Sequence, residues 1–386
     1  MSTPLAGFRV LDLTNVLAGP FCCHQLAHLG AEVIKIERPG SGDLARQLGA
    51  DADLNREFMG VSFLAQNAGK LSVTLDLKNA QDKEQFIELV KSADVLVENY
   101  RPGVMKRLGL DFEKLKQVNE RLVYCAISGF GQDGPLANYP AYDQIIQGMS
   151  GVMSITGAPE NAPYRVGFPL ADTIGGLTAA MAINAILAES PRQARFIDIS
   201  MLDSVLATMG WAVSNLLVAG RQPNPLGNDN VTASPSGTFK TGDGLLNIAA
   251  NKQEQFEALC RVLGQAAWIS DARFKDRHAR LENRRALAEL IEASLAQNTT
   301  EHWWKFLVDA GVPAGPVYSV AEALNHPQVR DRGVIERFED TPIGRPIEVV
   351  SGGYRIDGQP PRVATAPPVL GADNAALLQA YASNKA

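Results

Sequence analysis

Short apolar runs and polar breaks alternate along the first half of the chain at the spacing of strands and helices. Phe8-Arg9-Val10-Leu11-Asp12-Leu13 predicts a short buried strand. Gly19-Pro20 then opens a helix over Phe21–Leu29, which Gly30 stops. Glu32–Glu37 predicts a second strand, and the alternation in Leu71–Leu77 a third. Ala80–Lys91 reads as a helix with Phe86, Leu89 and Val90 on its apolar face. Asp94–Glu98 and Leu122–Ile127 complete five strands. Strands that alternate with helices predict an α/β domain with a mostly parallel sheet covered on both faces. The order of the strands is not legible at this level.

Tyr142–Ala188 reads as helical, broken by a loop over Thr156–Pro169. Arg195–Ser200 follows as a strand and Met201–Leu217 as a helix. Gly220–Ser236 is rich in Pro, Gly and Asn and reads as a linker. Beyond it, a strand at Leu245–Ala250 and helices at Gln253–Leu263, Arg284–Gln297 and Thr300–Ala310 predict a smaller α+β domain. The chain after about Val334 is Pro/Gly-rich, apart from a short helix at Asn374–Ser383. The expected division is a large domain over 1–220, a small one over 221–333 and a tail over 334–386.

Bulk properties narrow the function. A chain of 386 residues, 46% hydrophobic, has room for roughly two domains. Its net charge of −6 and the lack of a Lys/Arg block disfavour a nucleic-acid partner. Cys22, Cys23, Cys125 and Cys260 form no CxxC pair, so neither a disulfide framework nor a zinc site is expected. Cys22 and Cys23 read instead as the buried face of a helix. Met1–Leu5 lacks the charged and apolar regions of a signal peptide. Ile174–Leu187 is interrupted by polar residues and too short to cross a bilayer. These features predict a soluble, cytoplasmic protein with no membrane partner.

The usual nucleotide motifs are missing. No G-x-G-x-x-G follows the first strand, Gly40-Ser41-Gly42 lacks a third glycine, and there is no P-loop. Of five histidines, His24 and His28 are four apart but read as an ordinary helix surface pair. No nucleophile–histidine pattern stands out. Chemistry therefore rests on carboxylates or a bound cofactor. Asp172 lies where an apolar stretch meets the small residues Gly175 and Gly176. Alone, that stretch favours a helix N-cap; the rest of the chain favours a chemical role. Arg38, Arg101 and Arg107 follow predicted strands, with Tyr100 beside them. Each alone reads as a solvated loop charge. Together, outside the carboxyl ends of strands, they fit a ligand that carries phosphate.

The segments Gly7–Leu13 with Leu17–Pro20, Leu29–Pro39, Asn67–Lys70, Asp94–Gly103, Ser128–Gly131, Pro140–Asp143, Asp172 and Gly311–Val317, in that order, resemble the class III CoA-transferase family. That family includes formyl-CoA and carnitine CoA-transferases and 2-methylacyl-CoA racemases. The resemblance implies a doubly wound α/β large domain, a small domain, a tail that returns to the large one, and an interlocked homodimer. It implies Asp172 as the catalytic carboxylate, with Asp143 and Tyr142 supporting it. It also implies coenzyme A, as a substrate thioester, held by Val16, Arg38, Lys70, Asn99, Tyr100 and Arg107.

On this reading Asp172 attacks an acyl-CoA, and CoA passes through aspartyl anhydride and aspartyl-CoA thioester intermediates to a carboxylic acid. Gly175 and Gly176 are expected to let backbone N–H groups approach the oxyanion, and no metal is expected. Racemases of the family carry His where this chain has Tyr142, which disfavours racemisation. Formyl-CoA/oxalate enzymes carry Gln at the position of Leu17 and a glycine-rich flap where this chain has Ser234-Pro235-Ser236-Gly237. Oxalate is therefore disfavoured. A larger dicarboxylate such as itaconate, citramalate or succinate, met by Arg165 and Phe168, is expected instead. The alternatives are a racemase or epimerase and a catalytically silent CoA-binding paralogue.

Overall fold

A computed structural model describes residues 3–382; Met1, Ser2 and the predicted helix end at Ser383 lie outside them. The chain forms two units. One takes residues up to Val152, Arg165–Gln222 and everything from Arg330; the other takes Met153–Tyr164 and Pro223–Val329.

In the first unit, β1 (Arg9–Asp12), β2 (Glu32–Glu37), β3 (Lys70–Thr74), β4 (Val95–Glu98), β5 (Val123–Ser128) and β6 (Arg195–Ser200) form one sheet in the order β3-β2-β1-β4-β5-β6. Every pairing is parallel. Alternate residues of the same strands enter opposite cores, which is why the strands read as continuous apolar runs. Val10, Val33, Val97 and Cys125 pack with the helices Ala18–His28 and Leu170–Leu187. Leu11, Ile34, Leu96 and Tyr124 pack with Phe86, Leu89 and Val90 of the helix Ala80–Lys91. That helix starts where Asn79 accepts from the N–H groups of Gln81 and Asp82. The strand order reverses between β1 and β4, which opens a crevice at their carboxyl ends.

Several elements differ from expectation. The helix Leu170–Leu187 has 18 residues and is apolar and long enough to cross a bilayer. Here it packs on the helix Ala18–His28, and a Cβ on Gly176 would lie 2.5 Å from the Ala18 carbonyl oxygen. The helix expected over Met201–Leu217 is two helices, Met201–Thr208 and Trp211–Ala219, bent by 81°. Gly210 between them has φ +50°, which no α-helix continues through. His24 and His28 are not a surface pair. Both are buried, and His28 Nε2 lies 3.4 Å from Glu336 in the tail.

The tail also holds an antiparallel hairpin, β10 (Ile335–Phe338) with β11 (Ile347–Val350), that its Pro/Gly content concealed. Farther on, Asp373 and Asn374 accept from the N–H groups of Ser72 and Thr74, both at 2.8 Å. These contacts close the open edge of β3. The helix Asn374–Ala382 follows.

The second unit pairs β7 (Ser236–Lys240), β8 (Leu245–Ala249) and β9 (Ala314–Pro316) antiparallel. Its core joins Phe239, Leu246 and Ile248 to Phe256, Leu287 and Leu307 of the flanking helices. The segment Ser234–Gly237 is thus the entry to an edge strand.

Candidate active site

The crevice between β1 and β4 is built on buried charge. Asp12 at the end of β1 accepts from Lys70 Nζ at 2.8 Å, and Lys35 Nζ lies 2.9 Å from Asp43 and donates to the Thr14 carbonyl. All four charged side chains are fully buried. Burial alone would penalise the Asp12 carboxylate, but Lys35 and Lys70 overcome that and hold its pKa below the ordinary value. The network fixes the loop after β1. Val16 donates its N–H to Asp43, and Asn15 and Asn99 exchange backbone and side-chain hydrogen bonds at 2.8 Å each. Val16 has φ +66°, a strained conformation for a β-branched residue. The helix Ala18–His28 starts directly afterwards, with no side-chain cap.

Val16, Asn99, Tyr100, Tyr142 and Asp172 line one cavity of about 290 Å³, together with Leu17. A neighbouring cavity of about 410 Å³ shares Asn15, Leu44 and Tyr100 with it and is lined by Arg38. Tyr100 thus faces both spaces, and burial pushes its phenol up to about 12. The two cavities adjoin at Asn15, Leu44 and Tyr100, with Arg38 and Lys78 in the wall of one and Asp172 in the wall of the other.

Asp172 stands in the first turn of the helix Leu170–Leu187, but it is not the cap. That task falls to Asp143, whose Oδ1 accepts from the Ala171 N–H at 2.8 Å. Asp143 begins the helix Asp143–Met149 and is 8% exposed. Its Oδ2 accepts from Gln147 Nε2 at 2.8 Å. Burial, and then the neighbouring charge of Asp143, raise the Asp172 pKa to about 7. A partly buried carboxylate with a raised pKa, lining a cavity, suits a functional role.

Four expectations need correction. Lys70 does not face these cavities: its side chain is fully buried and donates to Asp12 and to the Pro20 carbonyl. Gly175 and Gly176 lie mid-helix and buried, where α-helical bonding occupies their N–H groups. Their smallness serves packing: a Cβ on Gly175 would lie 3.0 Å from Met201 Cγ. Arg107 is exposed and lines neither cavity. Arg165 and Phe168, expected at the acid, are exposed and line neither cavity as well. Sequence reasoning also missed Gln147, although its spacing of four from Asp143 on one helix face was a usable signal.

The fold is a doubly wound parallel sheet with a partly buried carboxylate in a cavity at its switch point. The chain belongs to CoA-transferase family III, whose model matches residues 5–374. It is thus a class III CoA-transferase, an enzyme that transfers sulfur-containing groups. It is 40% identical to the acetyl-CoA:oxalate CoA-transferase of Acetobacter aceti, over 94% of this chain and 89% of that protein. It is 37% identical to a succinate–glutarate CoA-transferase of Agrobacterium fabrum, over 86% and 84%. A crystal structure of a CAIB/BAIF family protein from Brucella suis matches with a TM-score of 0.86 and 34% identity, over 98% and 100% of the two chains.

Proposed function

We propose that the chain moves CoA from an acyl-CoA donor to a small dicarboxylic acid, with Asp172 as the covalent nucleophile. An Asp172 oxygen attacks the thioester carbonyl, the C–S bond breaks, and CoA thiolate leaves a mixed anhydride. The thiolate attacks the aspartyl carbonyl and releases the donor acid, which leaves an aspartyl-CoA thioester. The acceptor carboxylate displaces the thiolate to form a second anhydride. The thiolate then attacks the acceptor's acyl carbon, giving the new acyl-CoA and restoring the Asp172 carboxylate. No water is consumed, so partial burial of Asp172 protects both anhydrides.

The observation that carries this reading is that Asp172, freed from capping by Asp143, lines a cavity with Val16, Asn99 and Tyr100. The adjoining cavity at Arg38 supports a CoA adenine end there, with Val16, Asn99 and Tyr100 along the arm. The uncapped start of the helix Ala18–His28 supports the oxyanion role first given to the glycines. Relatives named for oxalate and glutarate support a dicarboxylic acceptor. Tyr142, 70% exposed in the cavity wall, offers no imidazole for racemisation. The chain acts in the cytoplasm as an interlocked homodimer on this reading.

The test is a screen of succinyl-CoA against a panel of carboxylic acids, read by mass spectrometry. A new dicarboxylyl-CoA is expected with the wild type and none with Asp172→Ala, which should still bind CoA. Exchange that persists in Asp172→Ala rules the mechanism out.

A further inference from the structure

We infer that Gln147 is a positioning residue for Asp172, fastening the carboxylate beside it and the chain segment before it into one unit. The inference rests on the reading of Asp172 as nucleophile. Gln147 lies on the helix Asp143–Met149, one turn after Asp143, and is wholly buried. It uses both ends of its amide. Nε2 donates to Asp143 Oδ2 at 2.8 Å and to the Phe168 carbonyl at 3.3 Å. Oε1 accepts from the Val166 N–H at 2.9 Å. Asp143 in turn holds the Ala171 N–H with its other oxygen.

One side chain therefore ties residues 166 and 168 to the group that caps residue 171. Asp172 follows directly, and its side chain has no cap of its own to fix it. A carboxyl group without the Gln147 donor would leave Asp143 with an unmatched buried oxygen, free to turn from Ala171. The first helical turn would then loosen where the nucleophile sits. A hydrophobic residue of similar length fills the space but makes none of these bonds.

The experiment compares the wild type, Gln147→Met, Asp143→Asn, the double variant and Asp172→Ala in the transfer assay, with amide hydrogen exchange on each unliganded protein. Gln147→Met is expected to lower kcat by about 10–100-fold, as small misplacements of a reacting group do. KM for the acyl-CoA should change by less than about three-fold, because uniform binding through residues 15–18 and 99–102 is untouched. The double variant should cost no more than about the worse single, as groups acting as a unit do. Exchange at Val166 and Ala171 should quicken by about ten-fold or more. A kcat within about two-fold of wild type, a KM that rises as far as kcat falls, or unchanged exchange at both amides overturns the inference. Wild-type kcat in Gln147→Met beside an inactive Asp172→Ala overturns the positioning role alone. An active Asp172→Ala overturns the nucleophile and the positioning role together. Should Gln147→Met not fold, Gln147→Leu removes the donor to Asp143 with a smaller, uncharged side chain. The same split in kcat and KM is expected of it, and an unchanged kcat overturns the inference.

Discussion

Asp172 sits in a first helical turn, where the helix dipole favours a carboxylate, yet burial and Asp143 push its pKa up to about 7. The kcat/KM of the free enzyme should therefore rise with pH through about 7, as Asp172 ionises. Asp143→Asn should move that limb to lower pH by removing the like charge; a limb that stays in place contradicts the assignment. The same shift has a stability consequence. The folded chain holds this proton more tightly than the unfolded one, so ionisation destabilises the fold progressively from about pH 4 to about pH 7. Asp172→Asn should thus add about 1–3 kcal/mol of stability at pH 8 and almost nothing below pH 4, measured by denaturant titration at both pH values. Asp172 and Asp143 were legible as residues, but their division of labour was not. Capping depends on Asp143 reaching the Ala171 N–H from another helix, a contact 28 residues away in sequence.

Among the elements, the strands and the helix Ala80–Lys91 were legible because both sheet faces are buried and a capping Asn marks the helix start. The bend at Gly210 and the tail hairpin were not, because one glycine and two four-residue strands carry little periodicity. Lys70 shows the limit most clearly. The family resemblance implied a ligand contact for it, but as the first residue of β3 it turns inward to Asp12. Lys70→Met should therefore destabilise the fold by about 3–5 kcal/mol, because it takes the nearer of two cations from the buried Asp12 carboxylate. A folded variant of wild-type stability whose only change is a higher KM for CoA would return Lys70 to the cavities. Gly176→Ala should also cost about 1–3 kcal/mol by chemical denaturation, because its new methyl meets the Ala18 carbonyl oxygen.

At the scale of the whole molecule, apolar side chains stay exposed along the helix Trp211–Ala219, with Trp211, Leu217 and Val218 all well over half accessible. Large apolar side chains exposed together on one helix are the kind of surface that another chain covers. This exposure accords with the proposed homodimer, for which sedimentation at micromolar concentration should give twice the chain mass, and a stable monomer would contradict it. The molecule's chemistry, however, comes down to whether this chain becomes covalently loaded in turnover. Hydroxylamine added to the enzyme during exchange between succinyl-CoA and a dicarboxylic acid, followed by peptide mass spectrometry, reads this out. A hydroxamate at Asp172 that forms only with acyl-CoA present is expected. Full transfer with Asp172 unmodified throughout would show that CoA moves by another route.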